Sequence, residues 1–119
     1  MICIYGLKNC DSCRKAIKWL SSNNIEYKFF NLKDNILSKS TLMKWINVHS
    51  LEKIINKKST TWRNLDDASK NQLDTNAVNI IIDFPSLMKR PIWELNTKPH
   101  YELDPGFQDR HQNFIKKLV

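Results

Sequence analysis

No stretch of the 119 residues carries the ~18 apolar side chains in a row that a membrane-crossing helix needs. The chain also lacks an opening succession of basic, apolar and small residues, the mark of a secretory leader. These absences lead to the expectation of a soluble, cytoplasmic protein that meets no membrane. Cysteine is scarce, with three residues. That is too few for a disulfide framework, and in a reducing compartment a closely spaced pair cycles or binds metal instead. There is no second Cys-x-x-Cys half, so a zinc site drawn from Cys10, Cys13 and any of His49, His100 or His111 has little support, and no metal is expected. Internal repeats and low-complexity tracts are missing too. At this length, with 41% hydrophobic residues, residues 1–119 are expected to form one domain, acting as a monomer.

The formal net charge of +7 is not concentrated anywhere. Lys57-Lys58, Lys89-Arg90 and Lys116-Lys117 are doublets only, and the other basic residues alternate with Asp, Glu and Asn. Solvated faces fit this pattern better than a stripe that follows nucleic-acid phosphates. A small anionic ligand or an acidic protein partner uses the same charge more economically.

What the chain does contain is Cys10-Asp11-Ser12-Cys13, between a strand-like run, Met1 to Tyr5, and an amphipathic segment. Gly6-Leu7-Lys8-Asn9 makes the bend between them. Cys10 then falls at a helix N-terminus, where free backbone N–H groups and the macrodipole favour a thiolate, and Lys8, Arg14 and Lys15 push the same way. Cys3 alternates with Ile2 and Ile4 and reads as a small buried hydrophobe.

Apolar residues at Ala16, Ile17 and Leu20, with Cys13 on the same face, predict a helix over about 11–22. Asn23-Asn24 stops it, and Ile25 to Phe30 alternates as a second strand, which completes a βαβ unit with parallel strands. From about residue 35 to 85 the pattern is helical: Leu42, Trp45 and Ile46 form one face, capped by Ser38 or Ser40, and Leu51, Ile54 and Ile55 another. Leu65, Ala68 and Leu73 suggest a further helix. The β-branched stretch from Ala77 to Ile82 is assigned to helix, although strand competes for it. Ile92–Leu95 and His100–Leu103 are read as two strands joined by a turn at Asn96-Thr97-Lys98-Pro99, with a closing helix on Phe107, His111, Phe114, Ile115 and Leu118. The expected architecture is α/β, a thioredoxin-like fold (βαβ, helical insertion, ββα) with a four-stranded mixed sheet.

Three blocks, Ile4 to Ala16 around the cysteines, Thr60-Thr61-Trp62-Arg63-Asn64-Leu65-Asp66, and Lys89-Arg90-Pro91-Ile92, resemble in this order the arsenate-reductase-related (ArsC/Spx) family. The likeness spans nearly the whole chain and is strongest to its YffB-like branch, whose members are regarded as glutathione-dependent thiol reductases. The resemblance implies a redox-active Cys10, with glutathione or another small thiol as co-substrate, thioredoxin or glutaredoxin as further partners, and no tightly bound cofactor. Cys13, one turn along, either resolves a mixed disulfide at Cys10 or only packs while glutathione resolves it. Arg90 matches the family's arginine before a proline that is usually cis and faces the cysteine turn. It would stabilise the thiolate and hold an anion, with Pro91 shaping the loop. Arg63 is a second anion contact, and Lys8 and Asn9 lie where substrate would approach. Arsenate reductases of the family use three arginines, whereas here Asn56 stands at the first and Asp104 to Phe107 supplies no third, which argues against arsenate. The alternative implied by the same family is an Spx-like redox-sensing regulator that binds RNA polymerase.

Overall fold

The computed structural model describes residues 1–34 and 37–119. The expected start of the helical insertion at residue 35 lies outside the described residues. Strand β1 (Ile2–Gly6) leads into helix α1 (Asp11–Ser22), and β2 (Tyr27–Asn31) returns parallel to β1 with Ile2 opposite Tyr27. Strand β3 (Ile92–Leu95) flanks β1 on the other side, antiparallel, with Ile4 opposite Trp93, so the sheet order is β2-β1-β3. As the central strand, β1 needs apolar residues on both faces, which explains its unbroken Ile-Cys-Ile run. Cys3 is buried there, as its alternation implied.

One face of the sheet, with Ile2, Ile4 and Trp93, packs on Ala16 and Leu20 of α1 and on Ile115 of α7 (Asp109–Leu118). The other face, with Tyr5 and Ile92, packs on the insertion. That insertion comprises α2 (Lys39–His49), α3 (Leu51–Ile54), α4 (Thr60–Asn64), α5 (Asp67–Asn71), α6 (Leu73–Asp83) and a 3-10 turn (Pro85–Leu87). Of the two candidate caps for α2 it is Ser38 that serves, accepting the Thr41 N–H at 3.1 Å. The β-branched run sits within α6, where Ile80 and Ile81 are buried in the core. Burial of a face thus overrides strand propensity. Within this layer Glu94 is only 3% exposed and accepts from the Tyr5 hydroxyl at 3.2 Å and the Trp45 indole N–H at 2.9 Å.

The expected fourth strand is not formed: the sheet among the described residues has three strands. Asn96 and Thr97 both take positive φ, 52° and 67°, in a tight two-residue turn closed by reciprocal bonds between Leu95 and Lys98. The chain therefore reverses earlier than expected. Pairing stops there: among the described residues the Leu95–Lys98 bridge is not extended into a ladder. His100 to Leu103 instead closes its own turn, Leu103 N–H to His100 carbonyl, and the His100 ring packs on Phe114. The closing helix begins after Phe107, which packs beside Trp19 and Trp93, and Leu118 is exposed rather than on the buried face. None of the helices is long and apolar enough to cross a membrane among the described residues.

Candidate active site

The turn after β1 is closed by the Cys10 N–H on the Leu7 carbonyl at 3.3 Å, and the Cys10 carbonyl accepts the first helical bond, from Arg14, at 3.0 Å. Cys10 is thereby the N-cap of α1, with extended backbone angles (φ −98°, ψ 125°). An N-cap side chain ordinarily accepts from the second or third helical N–H. Here a half-buried sulfur takes that place. It closes no formed capping bond, but the N–H of Cys13 is directed at it. Burial opposes ionisation of Cys10, yet the Cys13 N–H, the Arg90 guanidinium and the Cys13 thiol together hold its pKa below the ordinary thiol value.

Cys13 is a different kind of thiol. It is 1% exposed, and burial, reinforced by the neighbouring Cys10, pushes its pKa up to about 12. Two sulfurs in one helical turn are thus split into an ionisable, half-exposed group and a buried neutral one. Gly6 makes this possible, since a Cβ there would lie inside the van der Waals reach of the Cys13 sulfur.

Arg90 joins Pro91 through a cis peptide bond at the entry to β3. Its Nη1 donates to the Ser86 carbonyl at 3.1 Å, while its Nε is buried without a partner among the described residues. The guanidinium is among the groups that lower the pKa of Cys10, the residue that the family resemblance paired it with. Lys8, Arg14 and Lys15 contribute otherwise than expected: all three are exposed, and Arg14 pairs with Asp11 at 2.6 Å. Asn9 is exposed beside Lys8 in the turn. Pro91 is buried, and its carbonyl accepts the Gly106 N–H at 2.9 Å, so it fixes a loop rather than offering a contact surface. Arg63 is exposed on α4 and takes part in none of the side-chain hydrogen bonds or ion pairs of the described residues. Trp62 is half-buried against the core, with the Lys57 and Lys70 ammonium groups 5.6 and 5.2 Å from its ring centre.

A cleft of about 680 Å³ opens beside Ser12 and Arg90 and is lined also by Lys58, Lys89, Pro105, Gly106 and Arg110. Arg110 went unnoticed in the sequence because its role depends on Asp104, six residues away, with which it forms a two-pronged ion pair. Burial opposes the Asp104 charge, but Arg110 holds the carboxyl below its usual range. His111, 0% exposed, braces the same loop: its Nε2 meets the Asp104 carbonyl at 2.8 Å and its Nδ1 accepts the Gln108 N–H at 3.0 Å. Among the described residues no group of three His, Cys, Asp or Glu could hold a metal ion.

A depressed thiol at a helix N-terminus, a guanidinium beside it and a cationic cleft form a site that can attack a sulfur centre and hold an anion. Comparison with known proteins identifies the family. A protein of Haemophilus influenzae is 44% identical over 93 residues, covering 77% of this chain and 82% of its own. The global transcriptional regulator Spx 2 of Bacillus anthracis is 30% identical, covering 100% of this chain and 90% of its own. Among solved structures, the YFFB (PA3664) protein superimposes with a TM-score of 0.85 at 29% identity over 100% of both chains. The ArsC family model matches residues 5–108, a span that runs from β1 through the cysteine turn and Arg90 to the loop at Gly106, and the chain belongs to the ArsC family.

Proposed function

We propose that this protein is a thiol:disulfide reductase in which Cys10 is the nucleophile and glutathione completes the cycle. The Cys10 thiolate attacks one sulfur of a disulfide R–S–S–R′, forming Cys10–S–S–R and releasing R′S⁻, which takes a proton from water. A glutathione thiolate then attacks the R sulfur, restoring the Cys10 thiolate and leaving R–S–S–glutathione. When R is itself glutathionyl, the product is oxidised glutathione. Glutathione exchanges as a co-substrate through the cleft, and Arg90 faces its charge. Arg63, Lys8 and Asn9 are exposed and act, in this reading, only at the rim.

The single observation that carries the reading is the burial of Cys13, 1% exposed, beside a half-buried Cys10. Burial raises the Cys13 thiol and keeps its sulfur from meeting a mixed disulfide, so Cys13 is a slow resolving group as folded. Its service is to donate N–H and S–H toward Cys10, and an external thiol does the resolving. Arsenate remains a poor fit. The guanidinium that lowers the Cys10 pKa is that of Arg90, and Arg110 is neutralised by Asp104. A concentrated oxyanion would lack donors, at a cost of several kcal/mol, on the order of ~3 for each one lost.

Mass spectrometry of the reduced protein after treatment with oxidised glutathione tests this. The expected product is a glutathione adduct on Cys10. Cys10→Ser abolishes turnover, and Cys13→Ser retains part of it when glutathione is supplied. Accumulation of an internal Cys10–Cys13 bond, with turnover indifferent to glutathione, defeats the proposal. That same outcome favours the regulator reading, which the full-length likeness to Spx 2 keeps in play. A peroxide-sensitive complex with RNA polymerase would then be the deciding measurement.

A further inference from the structure

The Thr60-Thr61-Trp62-Arg63 block stands far from the cysteine turn in sequence, and its arginine makes no described polar side-chain contact. Its second threonine does. Thr61 Oγ1 lies 2.6 Å from Ser86 Oγ, and the backbone carbonyl of that same Ser86 accepts the Arg90 guanidinium at 3.1 Å. Among the described residues this carbonyl is the one oxygen that Arg90 reaches, since its Nε is buried and unpartnered. The direction of the guanidinium therefore depends on where Ser86 sits.

Ser86 lies in the 3-10 turn Pro85–Leu87. The strand-like segment that follows is tied to the end of α3, through Asn56 N–H to the Leu87 carbonyl at 2.7 Å and Lys89 N–H to the Ile54 carbonyl at 2.8 Å. Those bonds fix the exit of the turn. Thr61 is the side-chain partner that fixes Ser86 itself. An arginine anchored at one terminus keeps rotamer freedom unless its acceptor is rigid, and a rigid acceptor pre-organises the planar fork.

We propose that Thr61 is a positioning residue: its hydroxyl bond to Ser86 holds the carbonyl that aims Arg90 at Cys10. The inference rests on Cys10 as the nucleophile, and it gives the threonine a role that acts entirely through the guanidinium.

The test is the pH dependence of Cys10 alkylation by iodoacetamide, with the modified residue identified by mass spectrometry. Thr61→Val keeps the shape and removes the hydroxyl. It is expected to move the alkylation midpoint upward and cut the thiolate population at pH 6 by about threefold, the scale of one modest hydrogen bond. Thr61→Ser retains the wild-type midpoint, and Ser86→Ala reproduces the valine variant from the other partner. In Thr61→Val/Arg90→Ala the midpoint moves no further than in Arg90→Ala alone. A purely structural threonine would lower the unfolding midpoint and leave the alkylation midpoint in place, and that result overturns the proposal. So does a shift in the double variant beyond that of Arg90→Ala. A wild-type midpoint near the free-thiol value of about 8.5 would overturn the nucleophile reading and this one together.

Discussion

Replacing Gly6 with alanine puts a methyl group where the Cys13 sulfur already is. The new Cβ would also stand 3.5 Å from the Cys13 Cβ and 3.5 Å from the Phe29 ring, so neither neighbour leaves it room to swing aside. Cys13 is 1% exposed on the buried face of α1 and cannot rotate into solvent. Overpacking of this kind costs about 1–3 kcal/mol, which for a chain of this size lowers the melting temperature by roughly 4 °C for each kcal/mol. Cys13→Ala alone loses a buried sulfur and should cost about 1–2 kcal/mol in transfer and cavity terms. Combining the two substitutions lets the methyl introduced by Gly6→Ala fill the space the sulfur vacates. The double variant should therefore be about as stable as Cys13→Ala alone, a favourable coupling of roughly 1–3 kcal/mol, the full cost of Gly6→Ala. Urea denaturation of the four proteins under reducing conditions measures this directly. Additive losses, within about 0.5 kcal/mol, would refute the close approach of strand and thiol as the reason for glycine here.

Arg90→Ala should lower the alkylation rate of Cys10 at pH 6 about tenfold, because the opposite charge facing the thiolate is lost while burial still opposes ionisation; an unchanged pH profile would show that the helix terminus alone activates the sulfur. Acid should weaken the fold before carboxylates protonate. Burial lowers the pKa of both His49 and His111 below the ordinary 6.5, so the folded state binds fewer protons than the unfolded chain. Their contribution is complete above pH 6.5 and is lost as pH falls toward the folded values, giving a lower urea midpoint at about pH 5.5 than at about pH 7.5. His49 is 4% exposed with both ring nitrogens unpartnered among the described residues, so His49→Leu should stabilise the protein by about 1–2 kcal/mol at neutral pH and flatten that decline. A destabilised His49→Leu protein would point to a partner for the imidazole.

The parts of this molecule that were legible in the sequence are those where one residue's chemistry decides its place. A strand-like apolar run marked β1, alternation marked β2, helical spacing placed α1 within the observed bounds, and a cysteine directly after the strand's turn marked where that helix opens. His100–Leu103 was misread because its composition suits a strand, while pairing depends on where the turn closes and the segment closes a turn of its own instead. The flanking charges of Lys8, Arg14 and Lys15 were close in sequence but point to solvent or to Asp11. Sequence neighbours on a helix surface screen one another, whereas the cation that matters, Arg90, comes from the far end of the insertion. Thr61, Ser86 and the Asp104–Arg110 pair carried no signal of their own, since each acts through a partner that only the tertiary fold supplies.

That distribution of signal follows from how the thiolate is stabilised. Burial alone would raise the pKa of both cysteines, as it does for Cys13. Cys10 escapes because it is half-exposed and because donors from two parts of the chain act on it: the first turn of α1 and Arg90. The first contribution is local and written into Cys10-x-x-Cys13. The second requires the insertion to fold, since Ser86, which holds Arg90, is fixed by α3 and α4. The βαβ unit therefore supplies the sulfur and the helical insertion sets its charge. Reactivity of Cys10 should accordingly report on the folding of a layer to which it does not itself belong.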